Sequence, residues 1–215
     1  MRAVAVAGLA FVLTVAPFAL SPVRAESSPP TAAETQQAAS MIGAFYATLL
    51  ATMKEGAALG FEGRVARLTP SLTRTFDFPA MTRLAAGAVW PTLAADEQRR
   101  LIDAFSRFSI ANYAANFDSY NGERFDISGE VPAPGTGGGV IVESQLTPSA
   151  GDPVQMNYLL RVGSDGLRVL DIFVNGTISE MAGRRSEFSS VLNRGGAQAL
   201  YETLEAKTQA LAAKK

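Results

Sequence analysis

One change of period governs what this chain can become. Up to about Tyr120 the apolar residues recur every three or four positions; from Asn121 they recur every second one. The first half therefore reads as helices and the stretch after it as half-buried strands. Ile42, Phe45, Tyr46, Leu49, Leu50 and Met53 follow the helical spacing of a single apolar stripe. Val65, Leu68, Leu72 and Phe76 continue it more weakly in a region expected to divide at Pro70. In "FDFPAMTRLAAG", Asp77 has the position of an N-cap, Pro79 lies in the tolerated first turn and Gly87 marks a stop. A long helix is expected from near Ala94 to about Tyr120, with Asp96 and Glu97 in its first turn, where the helix dipole favours negative charge. Its stripe runs through Leu101, Ile102, Phe105, Phe108, Tyr113, Phe117 and Tyr120.

Beyond Asn121, Phe125, Ile127 and Val131 alternate with polar residues, and Val140, Val142 and Leu146 do the same in "VIVESQL". Val154, Met156, Tyr158, Leu160 and Val162 share one face of a third strand. "LRVLDIFVN" is the fourth, with Leu170, Ile172 and Val174 expected inward. Short turns between the four imply an antiparallel meander. Two helices, near 179–193 and 196–212, close the chain. The fold class is α+β: a curved four-stranded antiparallel sheet packed against helices from both ends of the chain.

Residues 1–25 stand apart. Arg2, an apolar run interrupted by Pro17, and "SPVRA" ending at Ala25 have the layout of a cleavable signal peptide. The same run retained would be a membrane anchor, a reading that Pro17 and the Val23/Ala25 pair disfavour. Residues 26–35 read as a flexible leader and 36–212 as one domain. Without Arg2 and Arg24, 17 basic residues face 20 acidic ones, a net charge of −3 with no basic block, which argues against nucleic acid as a partner. The chain has no cysteine and no histidine. That excludes a Ser–His–Asp triad, a thiol nucleophile and the common zinc ligand sets. No metal-spaced acidic cluster, paired-carboxylate motif or phosphate loop is visible, so neither metal nor cofactor is expected.

Four features remain. Asp171 interrupts an apolar run; it is either a general base in a cavity or a carboxylate on the opposite face, paired or hydrated. "NGT" at 175–177 matches a glycosylation sequon, but Asn-Gly where a strand ends before a helix reads first as an ordinary turn. Arg184 and Arg185 either meet an anionic headgroup or a partner protein, or belong to a solvated face with an Arg–Glu pair. The fourth is collective: Phe76, Phe78, Met81, Leu84, Trp90, Phe105, Phe108, Tyr113, Phe117, Val142, Met156, Tyr158, Leu160, Ile172 and Val174 are inward apolar residues. Periodicity does not separate a filled core from a lined pocket.

The stretch from Phe76 to Tyr120 resembles the signature of the MlaC family of exported lipid carriers, also called the toluene-tolerance auxiliary family. Aromatic–Asp–aromatic, then Met, Gly, Trp three residues later, an acidic helix start, and Phe and Tyr along that helix occur in the family's order. "PVQMNYLLR", "LRVLDIFVNGTIS", "RRSEF" and "GGAQALYETL" occupy the places of its later elements. Leu167 replaces a usual tryptophan, and Ala94 or Ala95 a usual Ser or Thr. Within the family the chain is more similar to the hopanoid-associated HpnM branch. The resemblance implies a monomeric, non-enzymatic periplasmic carrier whose apolar cavity holds a phospholipid or hopanoid. The implied partners are an inner-membrane ABC transporter with an MCE-domain protein and an outer-membrane lipoprotein or transporter. The collective residues would line the cavity, with Trp90 largely buried at a helix corner and bracing its wall. Arg184 and Arg185 would meet the headgroup or a partner. The readings from other classes are an enzyme using Asp171 and a non-catalytic envelope adaptor.

Overall fold

The computed structural model describes residues 31–133, 138–163 and 165–213. The stretch read as a signal peptide, the first part of the leader and most of the "PAPGTGG" turn lie outside the described residues. The first helix begins inside the stretch read as leader. The Thr31 hydroxyl accepts from the Glu34 N–H at 3.2 Å and the Glu34 carboxylate accepts from the Thr31 N–H at 2.7 Å. This capping box starts helix α1, Ala32–Lys54, whose buried face carries Ile42, Phe45, Tyr46, Leu49 and Met53. Helix α2, Gly56–Thr75, breaks at Gly60 (φ 61°) and not at Pro70, which stays within the helix. Pro70 is exposed, so water can satisfy the carbonyl it leaves without a donor.

One buried guanidinium ties the start of α2 to the end of a later helix. Arg64 Nε donates to the Ala114 carbonyl and Arg64 Nη1 to that of Gly56, both at 2.8 Å. Asp77 caps helix α3, Phe78–Ala86, by accepting from the Ala80 N–H at 2.8 Å. Gly87, at φ 61°, ends it. A 3-10 segment, Gly87–Thr92, leads to helix α4, Ala95–Asn116, which stops short of Tyr120 because Phe117 leaves helical geometry.

The sheet has strands β1 (Arg124–Pro132), β2 (Val140–Thr147), β3 (Val154–Gly163), β4 (Gly166–Val174) and β5 (Ile178–Ser179) in sequential antiparallel order. The meander is as expected, with one strand more. Asn175 (φ 52°) and Gly176 (φ 75°) make the left-handed tight turn of "NGT" and return two residues onto β4, too few to show alternation. Two bulges bend the sheet, one between Ile127 and Gly129 and one opposite Leu159/Leu160. In the second, Leu159 faces Asp171 and Leu160 faces Val169, which leaves Leu170 over. Val169 and Ile172 are consequently both buried although an odd and an even position. Leu170 drops out of the inward set.

Helix α5, Glu180–Ala213, closes the chain and bends at Gly196 (φ 66°), so the two expected helices are one run with a kink. Helix α1 lies against β1 and β2, while α3 and the start of α5 lie against β4; α4 packs on α2, α3 and α5.

Candidate functional site

Where α4 passes over the β3–β4 end of the sheet, the core does not close. A cleft of about 220 Å³ remains, open to solvent at one side. Its floor comes from the cross-strand pairs Met156–Val174 and, one step inward, Ile172 opposite Tyr158. Phe76, Phe78 and Met81 form the α3 side, and Phe105, Phe108, Tyr113 and Phe117 the α4 side. The aromatics hold one another in mixed geometries: Phe78 edge-on to Phe105 at 6.2 Å, Phe76 tilted on Tyr113 at 5.9 Å, and Phe76–Phe78 and Tyr113–Phe117 stacked. Charged lining groups appear only at the start of α5, as Glu180 and Arg184. Arg184 is fixed from two sides. Its guanidinium lies 5.0 Å from the Phe108 ring centroid and pairs with Glu187 at 3.2 Å. Lys207 pairs with the same Glu187.

Behind the cleft lies a buried hydroxyl group. Tyr46 and Ser144 are joined at 2.6 Å, and Ser144 Oγ donates to the Met156 carbonyl, so the Tyr46 hydroxyl donates to Ser144. The Tyr158 hydroxyl lies close to those of Tyr46 and Tyr113 but is in hydrogen-bonding geometry with neither. Burial pushes Tyr113 and Tyr158 well above the ordinary phenol range, and neighbouring charge adds to it.

A sequence model of the MlaC protein family matches residues 44–206, most of the chain and all of the cleft. This chain belongs to the MlaC family. The fold is also that of the phospholipid-binding protein from Ralstonia solanacearum, solved in complex with a phospholipid, with a TM-score of 0.70. The two sequences are 22% identical, and the match covers 81% of this chain and 98% of the other. No curated protein matches significantly.

The MlaC cleft gathers many of the residues singled out by spacing and leaves five elsewhere. Val142, Tyr158 and Leu160 are fully buried in the core beside it and not on its surface. Leu84 is 46% exposed, because it falls on the outer side of the short helix α3. Trp90 packs against the core with only part of its surface exposed, and it does not line the cleft. The 3-10 segment holds it at the surface of the core, with its carbonyl accepting from Gln98 Nε2 at 3.0 Å. Arg185 is exposed against Gly87, apart from Arg184. Four lining residues escaped sequence reading: Ser109, Asn112, Glu180 and Met181. Ser109 and Asn112 continue the Phe105–Phe108 stripe at helical spacing, a signal hidden by their polarity.

Asp171 does not line the cleft. Its Oδ1 accepts from the N–H groups of Ile172 (2.7 Å) and Met181 (3.0 Å), and its Oδ2 from the Ser179 hydroxyl (2.6 Å). The carboxylate fastens β4 to the first turn of α5, with no oxygen aimed at the cavity. Among the described residues no helix is long and apolar enough to cross a membrane, and no group of three or more metal-ligating side chains occurs.

Proposed function

We propose that this chain is a periplasmic lipid carrier. Residues 1–25 direct export and are removed, and the domain then holds the tails of a phospholipid or hopanoid-type lipid in the cleft and leaves its polar end at the α5 rim. It passes this cargo between an inner-membrane ABC transporter with an MCE-domain protein and an outer-membrane lipoprotein or transporter. The observation that carries this reading is the cleft itself: aromatic and aliphatic walls, a solvent opening, and charged lining groups confined to the start of α5. Such a lining suits a cargo whose withdrawal from water contributes about 0.8 kcal/mol per buried methylene. Family membership and the phospholipid held by the Ralstonia protein support it.

The cleft is smaller than the roughly 300–1,000 Å³ of drug-sized ligand sites. A diacyl lipid therefore enters by parting α4 from the sheet. Purification of the exported protein without detergent, organic extraction and mass spectrometry test the reading. The expected result is a phospholipid or polycyclic lipid in near-stoichiometric amount. A lipid-free protein that also takes up none from vesicles would end it.

A further inference from the structure

The rim is charged but balanced. Glu180 and Arg184 line the same mouth of the cleft. They are four residues apart on α5, which puts them on one face, about 5–6 Å between their Cβ atoms. Among the described residues Arg184 pairs with Glu187 and not with Glu180. Its side chain keeps 24% of its surface accessible, and Glu180 is half-buried at the same opening. A second cation near Phe108, Lys207, lies outside the cleft and is held by Glu187 as well. Two carboxylates thus face two cations, and one of each lines the opening. Ser109 and Asn112 of α4 add neutral donors and acceptors to the same lining.

We propose that this rim selects a zwitterionic phospholipid headgroup, one carrying an ammonium two carbons from its phosphate ester. The proposal rests on the carrier reading and adds the headgroup class to it. Arg184 donates to the phosphate oxygens, for which its planar fork of N–H groups is suited. Glu180, one helical turn away, accepts from the ammonium. A net-anionic headgroup would satisfy Arg184 and leave Glu180 facing a second negative charge. A headgroup with neither charge would leave Glu180 partly desolvated without a partner and give Arg184 none beyond Glu187. Phe108 beneath the guanidinium fixes where the phosphate sits relative to the tails.

The test is competitive loading of the whole exported chain from vesicles with equal parts phosphatidylethanolamine, phosphatidylglycerol and diacylglycerol of identical acyl chains. Bound lipid is quantified by mass spectrometry after re-isolation. The ethanolamine lipid is expected to exceed each of the others by roughly tenfold, the discrimination of one charge-assisted contact. Glu180→Gln is expected to bring the glycerol lipid level with it, and Arg184→Gln to bring diacylglycerol up toward both. Equal uptake of all three by the unaltered protein overturns the headgroup assignment and leaves the carrier standing. No uptake of any lipid overturns the carrier and the assignment with it.

Discussion

Asp171 accepts three hydrogen bonds from the protein, two of them from backbone N–H groups. Replacing it with alanine strands these donors in a buried place. Asp171→Ala is expected to cost about 2–4 kcal/mol of unfolding free energy. Asp171→Asn, which keeps one acceptor oxygen, is expected to cost about half as much. Urea unfolding with an unchanged slope measures both. The residue was half legible in the sequence. Alternation placed it away from the cavity, which is where it lies, but gave no sign of the Ser179 and Met181 donors. Ser179 belongs to a two-residue strand that no periodicity announces, and a helix expected near 179 does not say where the Met181 N–H points. Trp90 is the converse case. It packs on the core at the helix corner, but a side chain in a 3-10 segment follows no helical stripe, and it does not reach the cleft.

Among the elements, the helices were legible because their stripes are long. Some ends were legible too, at Asp77, Gly87, Ala94 and the Gly196 kink; the break in α2 was not. A proline on an exposed helix face is tolerated, whereas a glycine at positive φ ends the hydrogen-bond ladder, so α2 breaks at Gly60 and not at Pro70. The bulge in β4 hid in the same way. One surplus residue, Leu170, exchanges the faces of the strand halfway along, and a strict period of two misassigns the residues on one side of it. The tightest contact between elements is at the α1–α2 junction. A Cβ on Gly56 would lie 1.8 Å from the Asp118 carbonyl oxygen, a backbone atom that cannot step aside alone. Gly56→Ala is expected to lose about 3 kcal/mol, by forcing α4's exit away from Arg64. Thermal melts monitored by circular dichroism check this against Gly183→Ala, on α5 where a Cβ meets nothing.

For the whole molecule, the buried tyrosines set the alkaline limit. Burial raises Tyr46, Tyr113 and Tyr158 above the ordinary value of 10.0. Folding therefore holds them protonated, and the unfolded chain loses their protons first. Their contribution is fully present below pH 10 and is lost as pH climbs above it. The urea midpoint is expected to be flat through neutrality and to fall above about pH 10, with phenolate absorbance rising together with unfolding. Tyr46→Phe also breaks the Ser144 link, so Tyr158→Phe is the cleaner variant; it is expected to leave neutral-pH stability nearly unchanged and to soften the alkaline loss. At this scale the layer of helices on a meander was readable from the change of period. The cavity was not, because a gap among apolar side chains has no signature distinct from a filled core.

Every residue that lines the cleft falls between Phe76 and Arg184. The segments that back it come from the two ends: α1 and α2 before, and the later part of α5 after. That last part reaches α4 through Arg107–Glu205, a pairing across 98 residues. A chain delivered from its N-terminus thus lays down its supporting helices first, then the cavity walls, and only at the end the brace that holds α4 over the sheet. Until α5 arrives, α4 rests on α2 and α3. The last part of the chain to be delivered is the part that braces the cavity from behind.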